Sequence, residues 1–165
     1  MFKQLRAILM PVTVVVIIPA LLNRLNPFWG LGWPLNLLLA LVGIALILGG
    51  LTLVVVTVRL FILIGKGTLA PWDPTQRLVV TGVYRYVRNP MISGVFSILL
   101  GESVLLGSPA LVMWTLAFAI VNLIYIPLLE EPGLVERFGD DYREYTRHVP
   151  RWLPRRTPWT PPNTQ

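Results

Sequence analysis

Hydrophobic residues fall into four long runs, separated by stretches rich in arginine, proline and glycine. The first runs from about Ala7 to Leu22 and contains Pro11 and Pro19. The second runs from about Leu35 to Ile64, the third from Met91 to Leu106 and the fourth from Leu111 to Leu129. A membrane-crossing helix needs about 20 predominantly apolar residues. The second run is therefore long enough to tilt or protrude, with Arg59 near its end able to snorkel to the interface. The first is short and bent by its prolines. Lys3 and Arg6 ahead of it would also suit a cleaved leader, but no small-residue cleavage site follows Leu22. Only Gly107, Ser108, Pro109 and Ala110 separate runs three and four, which predicts a tight antiparallel hairpin. The pattern predicts an all-α polytopic membrane protein of about four transmembrane helices, without internal repeats.

Composition agrees: 55% of the 165 residues are hydrophobic, only 13% are charged, and the mean hydropathy is +0.67. That is too little polar surface for a soluble domain of this size. There is no cysteine, so thiolate nucleophiles and thiolate metal sites are excluded. His148 is the single histidine, which excludes a histidine-rich metal cluster. The net charge of +6 is mostly arginine beside predicted membrane ends, favouring the lipid bilayer and its anionic headgroups over nucleic acid. Lys3 and Arg6 precede run one. Lys66, Arg77, Arg85 and Arg88 lie between runs two and three, and Arg137, Arg143, Arg147, Arg151, Arg155 and Arg156 follow run four. The positive-inside rule then places both termini and segment 65–90 in the cytosol.

Segment 65–90 is too long to be a mere link. Leu69, Trp72, Leu78, Val79, Val80, Tyr84 and Tyr86 give it apolar anchors, and Pro71 and Pro74 fix turns around Trp72 and Asp73. It is expected to form a compact cap on the cytosolic end of the bundle. Pro90 suits the first turn of a helix, so run three opens with free backbone N–H groups that attract carboxylates and phosphates. Arg85 and Arg88 add positive charge there, and Ser93 and Gly94 leave room for a close approach. A basic flank with interfacial tyrosines is the plainer reading of the same residues.

Run four ends with Glu130 and Glu131 between Pro127 and Pro132. Paired acids at a cytosolic end run against the usual basic flank. Neighbours about 100° apart on a helix cannot share one space, so one can bind a cationic or hydroxyl-bearing ligand while the other pairs with a protein arginine such as Arg85 or Arg88. Beyond Gly133, Leu134, Phe138, Tyr142, Tyr145 and Val149 recur at steps of four, four, three and four. This spacing predicts an amphipathic helix with Asp140–Arg143 and Glu144–Arg147 pairs on its polar face. His148 belongs to that polar face as a solvated residue. Pro150 ends the helix, Trp152 and its arginines form an interfacial anchor, and the last residues from Thr157 read as a loose tail.

Three motifs in this order, G-x-Y-R-Y-x-R-x-P from Gly82 to Pro90, E-E at Glu130–Glu131, and R-F-G-x-x-Y-x-x-Y-x-x-x-V-P-R-W from Arg137, resemble the isoprenylcysteine carboxyl methyltransferase and phospholipid methyltransferase family of integral membrane enzymes. The resemblance covers about residues 65–156. Two N-terminal transmembrane helices (1–64), read from their hydrophobicity and without a family signature of their own, then precede a core (65–165) that the resemblance implies binds a cofactor. By the same resemblance that cofactor is S-adenosylmethionine. Gly82, Tyr84, Arg85, Tyr86, Arg88, Asn89, Pro90 and Gly94 would line or shape the pocket, Glu130 and Glu131 would hold the cofactor, and Tyr142 and Arg143 would close over it. Family members commonly have histidine where this chain has Asn89, which cannot transfer a proton near neutrality.

Methyl transfer to a carboxylate or thiolate needs no general base; the main tasks are alignment and exclusion of water. The acceptor would be a lipophilic carboxylate, amine or thiol, and Arg85, Arg88 and Arg143 are the residues expected to orient it where it is anionic. Glu102, an acid inside run three, supports a rival reading as a small proton-coupled transporter. A non-catalytic scaffold of the same fold is the other.

Overall fold

The computed structural model describes residues 11–24, 32, 34–65 and 76–161. Lys3 and Arg6, and Lys66 to Pro74 of the expected cap, lie outside the described residues. Among the described residues every regular element is helical. A π-helical turn at Thr13–Ile17 leads into α1 (Ile18–Asn23), with Pro19 in its first turn, where a missing N–H costs nothing. Then come α2 (Leu35–Leu60), extended by a π-helical turn at Phe61–Gly65, α3 (Pro90–Leu106), α4 (Pro109–Tyr125) and α5 (Glu131–His148). The expected second run and the hairpin are reproduced almost to the residue. Gly107 ends α3 in the left-handed region at φ 55°, and Ser108 caps α4 by accepting the Leu111 N–H.

Two helical stretches, Leu35–Gly65 and Pro109–His148, are long and apolar enough to cross a membrane. Their outer faces are apolar and open: Leu38, Leu41 and Leu48 on α2, and Met113, Ile120 and Val121 on α4, are all exposed. An apolar patch of this extent needs a non-aqueous neighbour.

The tightest packing joins α2 to α3 through four glycines. A Cβ placed on Gly43 would sit 2.8 Å from the Gly101 carbonyl oxygen, and one on Gly50 would sit 2.6 Å from that of Gly94. Both pairs are seven residues apart, so each helix presents one smooth stripe to its antiparallel neighbour, and small residues let the backbones touch. Ser97 donates across this seam to the Leu46 carbonyl at 2.9 Å. Between α3 and α4 the buried Ser103 and Thr115 hydroxyls meet at 3.0 Å. Trp114 ties α4 to the first helix by donating to the Val14 carbonyl.

α5 is bent rather than continuous. Gly139 sits at φ 55°, ψ −128°, outside the helical region. Its apolar face is nevertheless the one expected: Tyr142, Tyr145 and Val149 are buried, with Leu134, Val135 and Phe138 packed around them. The Asp140–Arg143 and Glu144–Arg147 pairs form on the opposite, exposed face. The expected loose tail is corrected over residues 157–161, residues 162–165 lying outside the described residues: Trp159 packs into this aromatic cluster, stacking on the partly exposed His148 with ring centres 5.1 Å apart. An aromatic ring among prolines found an apolar surface to cover.

Candidate active site

A short 3-10 turn, Gly82–Arg85, leads into α3. Gly82 adopts φ 57°, a conformation costly for any side chain, and faces Leu60 of α2. Tyr84 is buried, stacked on Phe61 at 5.5 Å. Its carbonyl accepts a 2.7 Å hydrogen bond from the Tyr145 hydroxyl, which fastens the turn to α5. Burial pushes both phenols well above their ordinary pKa, so both stay neutral and the Tyr145 hydroxyl keeps the proton it donates. Tyr145→Phe is expected to lower stability by about 1–2 kcal/mol through the orphaned carbonyl, measurable as a drop in melting temperature.

Glu131 stands at the first turn of α5, delivered there by a π-helical turn at Ile126–Glu130 that contains Pro127. Arg88 contacts Glu131 Oε1 at 2.9 Å. Arg151, just past α5, grips both carboxylate oxygens, donating from Nε at 2.8 Å and from Nη2 at 2.7 Å. The Arg88 and Glu131 side chains are only 11% and 15% exposed, Arg151 33%. Two guanidiniums share one carboxylate, so the cluster carries one surplus positive charge. The buried Nε of Arg88 has no hydrogen-bond partner among the described residues. Beside them, burial, with Glu131 adding and Arg88 opposing, moves the Tyr142 phenol up to about 12.

These groups line an open cavity of about 630 Å3, walled by Pro127, Pro132, Val135, Glu136 and Thr146 as well as Arg88, Glu131, Tyr142 and Arg151. The size falls within the roughly 300–1,000 Å3 usual for small-molecule sites. Two guanidiniums around one carboxylate, with Glu136, a neutral phenol and apolar prolines on the same wall, suit a ligand that carries a carboxylate close to a positive group.

The other sequence-predicted residues fall around this centre in distinct ways. Glu130 is exposed and forms no ion pair among the described residues. It lies near enough to Tyr84, whose hydroxyl has no partner among the described residues, to add to the rise in its pKa. Asn89 caps nothing with its side chain; its amide reaches the Arg151 carbonyl at 3.4 Å, and Pro90 occupies the first position of α3. The close approach that Gly94 permits is taken by α2, where its added Cβ would meet Val54 and the Gly50 carbonyl. Tyr86 is exposed, and its carbonyl accepts the Arg155 N–H. Arg85 donates to the Trp159 carbonyl at 2.7 Å and to the Thr160 hydroxyl. Arg143 pairs with Asp140 at the exposed surface. Glu102 is half-buried with one oxygen unpartnered among the described residues. It lies twelve residues along α3 from Pro90, about 18 Å at 1.5 Å per residue. Arg151, expected to be part of an interfacial anchor, is instead a ligand of Glu131; its place in V-P-R-W, directly after Pro150, is the signal in the sequence.

A family model described as phospholipid methyltransferase matches residues 38–141. Over 80 residues the chain is 39% identical to a protein-S-isoprenylcysteine O-methyltransferase of Schizosaccharomyces pombe, covering 47% of this chain and 33% of that protein. Over 81 residues it is 37% identical to a methanethiol S-methyltransferase of Pseudomonas deceptionensis, covering 46% and 29%. Over 95 residues it is 33% identical to methanethiol S-methyltransferase 1 of Bradyrhizobium diazoefficiens, covering 56% and 30%. The chain spans about a third of the length of these curated relatives. None of the three carries a transporter's name. With the match running from α2 through the hairpin into α5, the chain belongs to the phospholipid methyltransferase family.

Proposed function

We propose that the chain is a multi-pass membrane methyltransferase that uses S-adenosylmethionine to methylate a lipophilic acceptor. Four membrane crossings, with both termini and the cavity on the cytosolic side, fit the arginine distribution. α3, with 17 residues, is about 25 Å long and needs its neighbours or local thinning to complete a crossing of roughly 30 Å.

The observation that carries the reading is the arginine–glutamate–arginine cluster on the cavity wall. Its donor set fits the amino-acid end of S-adenosylmethionine: Arg88 and Arg151 for the carboxylate. Glu131 keeps the two cations side by side. Glu130, free of protein cations among the described residues and just outside the lining residues, would serve the ammonium or ribose hydroxyls of a ligand reaching past them. Pro127, Pro132, Val135 and Tyr142 offer an apolar wall for a base. When bound, the cofactor supplies a methyl carbon already activated by its sulfonium. The remaining work of the chain is orientation and exclusion of water. Asn89 has no proton to give or take near neutrality, which suits an acceptor that needs none removed, such as a carboxylate or thiolate. The exposed Tyr125, Leu128 and Leu129 beside the cavity let such an acceptor arrive from the lipid side.

Membranes containing the protein should be given methyl-labelled S-adenosylmethionine with a prenylated cysteine, a phospholipid amine or a hydrophobic thiol. Label in one organic-soluble product is expected. No label in any of them, from folded protein, would contradict the assignment.

A further inference from the structure

The two arginines that hold Glu131 are tied together by their backbones as well as by the shared carboxylate. The Arg88 N–H donates to the Pro150 carbonyl at 2.9 Å. Beyond Arg151 the chain runs back antiparallel to residues 85–88: the Arg155 N–H donates to Tyr86 O and the Trp159 N–H to Arg85 O, both at 3.0 Å. The Arg85 side chain returns the contact by donating to Trp159 O and Thr160 Oγ1. The Trp159 ring seats this ribbon against Tyr145 at 5.9 Å and His148 at 5.1 Å. Neither Arg85 nor Trp159 lines the cavity, and Trp159 lies beyond the residues matched by the family model.

We propose that residues 155–160 form a clasp, with Trp159 and Arg85 as positioning residues that hold Arg88 and Arg151 in register on Glu131 and so set the affinity of the cavity for its ligand. The physical need is plain. Two guanidiniums on one carboxylate repel each other, and only a fixed backbone keeps both within hydrogen-bond reach. Stacked rings and backbone hydrogen bonds supply that rigidity without placing further charge in the cavity. The ligand part of this proposal rests on the methyltransferase reading; the clasp itself does not.

The test joins amide hydrogen exchange of the ligand-free chain with calorimetric titration of S-adenosylhomocysteine, for wild type, Trp159→Ala, Trp159→Phe and Arg85→Gln. Trp159→Ala is expected to speed exchange at Arg88 and Arg155 and to weaken ligand affinity, each by about tenfold, the loss of roughly one buried contact. Amides of α2 and α3 should keep their protection. Trp159→Phe should restore most of both effects, and Arg85→Gln should mimic Trp159→Ala. The double variant should be little worse than either single change, because the ring stacking and the Arg85 hydrogen bonds hold the same ribbon, which either change releases. Unchanged exchange at Arg88, faster exchange throughout the bundle, or full ligand affinity despite a loosened ribbon would each overturn the clasp. A wild-type chain that binds no S-adenosylhomocysteine while the ribbon still loosens in Trp159→Ala would overturn the methyltransferase reading instead.

Discussion

Glu131→Gln is expected to weaken S-adenosylhomocysteine binding by about 100-fold, close to 2.7 kcal/mol. The wild-type carboxylate accepts from Arg88 on one oxygen and from Arg151 on both, at 2.7–2.9 Å. Glutamine keeps the shape but offers one acceptor, and it turns an amide N–H toward a guanidinium. The two arginines then face each other with no counter-charge in a partly buried place, where removing one partner of an ion pair typically costs about 3–5 kcal/mol. Exposure of Arg151 lowers that figure, since solvent screens its charge. Some of the loss will show as a lower melting temperature of the α5 layer, so affinity should be measured well below that transition. Glu130→Gln is the comparator. It leaves the arginine pair intact and should lose only a direct contact, about tenfold. Equal effects from the two substitutions would mean that Glu131 does not organise the site.

Gly50→Ala is expected to lower stability, and Gly49→Ala, one residue away, is not. A Cβ on Gly50 would lie 2.6 Å from the Gly94 carbonyl oxygen and 2.7 Å from Ile98 Cγ1. A backbone oxygen cannot step aside, so the helices must separate. Overpacking of this kind costs about 1–3 kcal/mol, against a gain of at most about 1 kcal/mol from better helix propensity. A Cβ on Gly49 meets nothing within 4 Å, so only the propensity term remains. Thermal unfolding in one detergent should show Gly50→Ala below wild type and Gly49→Ala at or slightly above it. Gly50→Ala should also reduce ligand binding, because Arg88 of the cavity wall stands two residues before the start of α3.

Much of this architecture was legible from the order of residues because its signals are local. The length of the second apolar run, the four-residue link of the hairpin, and the spacing Leu134–Phe138–Tyr142–Tyr145–Val149 each translate directly into an element or a buried face. Signals between distant segments were harder to read. The heptad spacing of Gly43 and Gly50 acquires meaning only when α3 is known to run antiparallel beside it with Gly94 and Gly101 at the same spacing. Gly94 therefore read as open space beside the site, where it serves a helix contact. Arg151 is 20 residues from Glu131, and its flank of tryptophan and arginines read as a lipid anchor. Trp159 was lost among prolines and threonines whose composition suggests a loose tail. Its partner Arg85 sits 74 residues away, and no local rule joins them. Pairing of one acid with a protein arginine was foreseeable from helix geometry; which acid, and that a second arginine would join it, required the fold.

Calorimetric titration of S-adenosylhomocysteine into the purified wild-type chain tests the central claim most directly. Saturable binding at one site per chain is expected, largely lost in Glu131→Gln under conditions where α2 and α3 remain folded. Heats no larger than dilution, from wild-type protein shown to be folded by its α2–α3 protection, would contradict it.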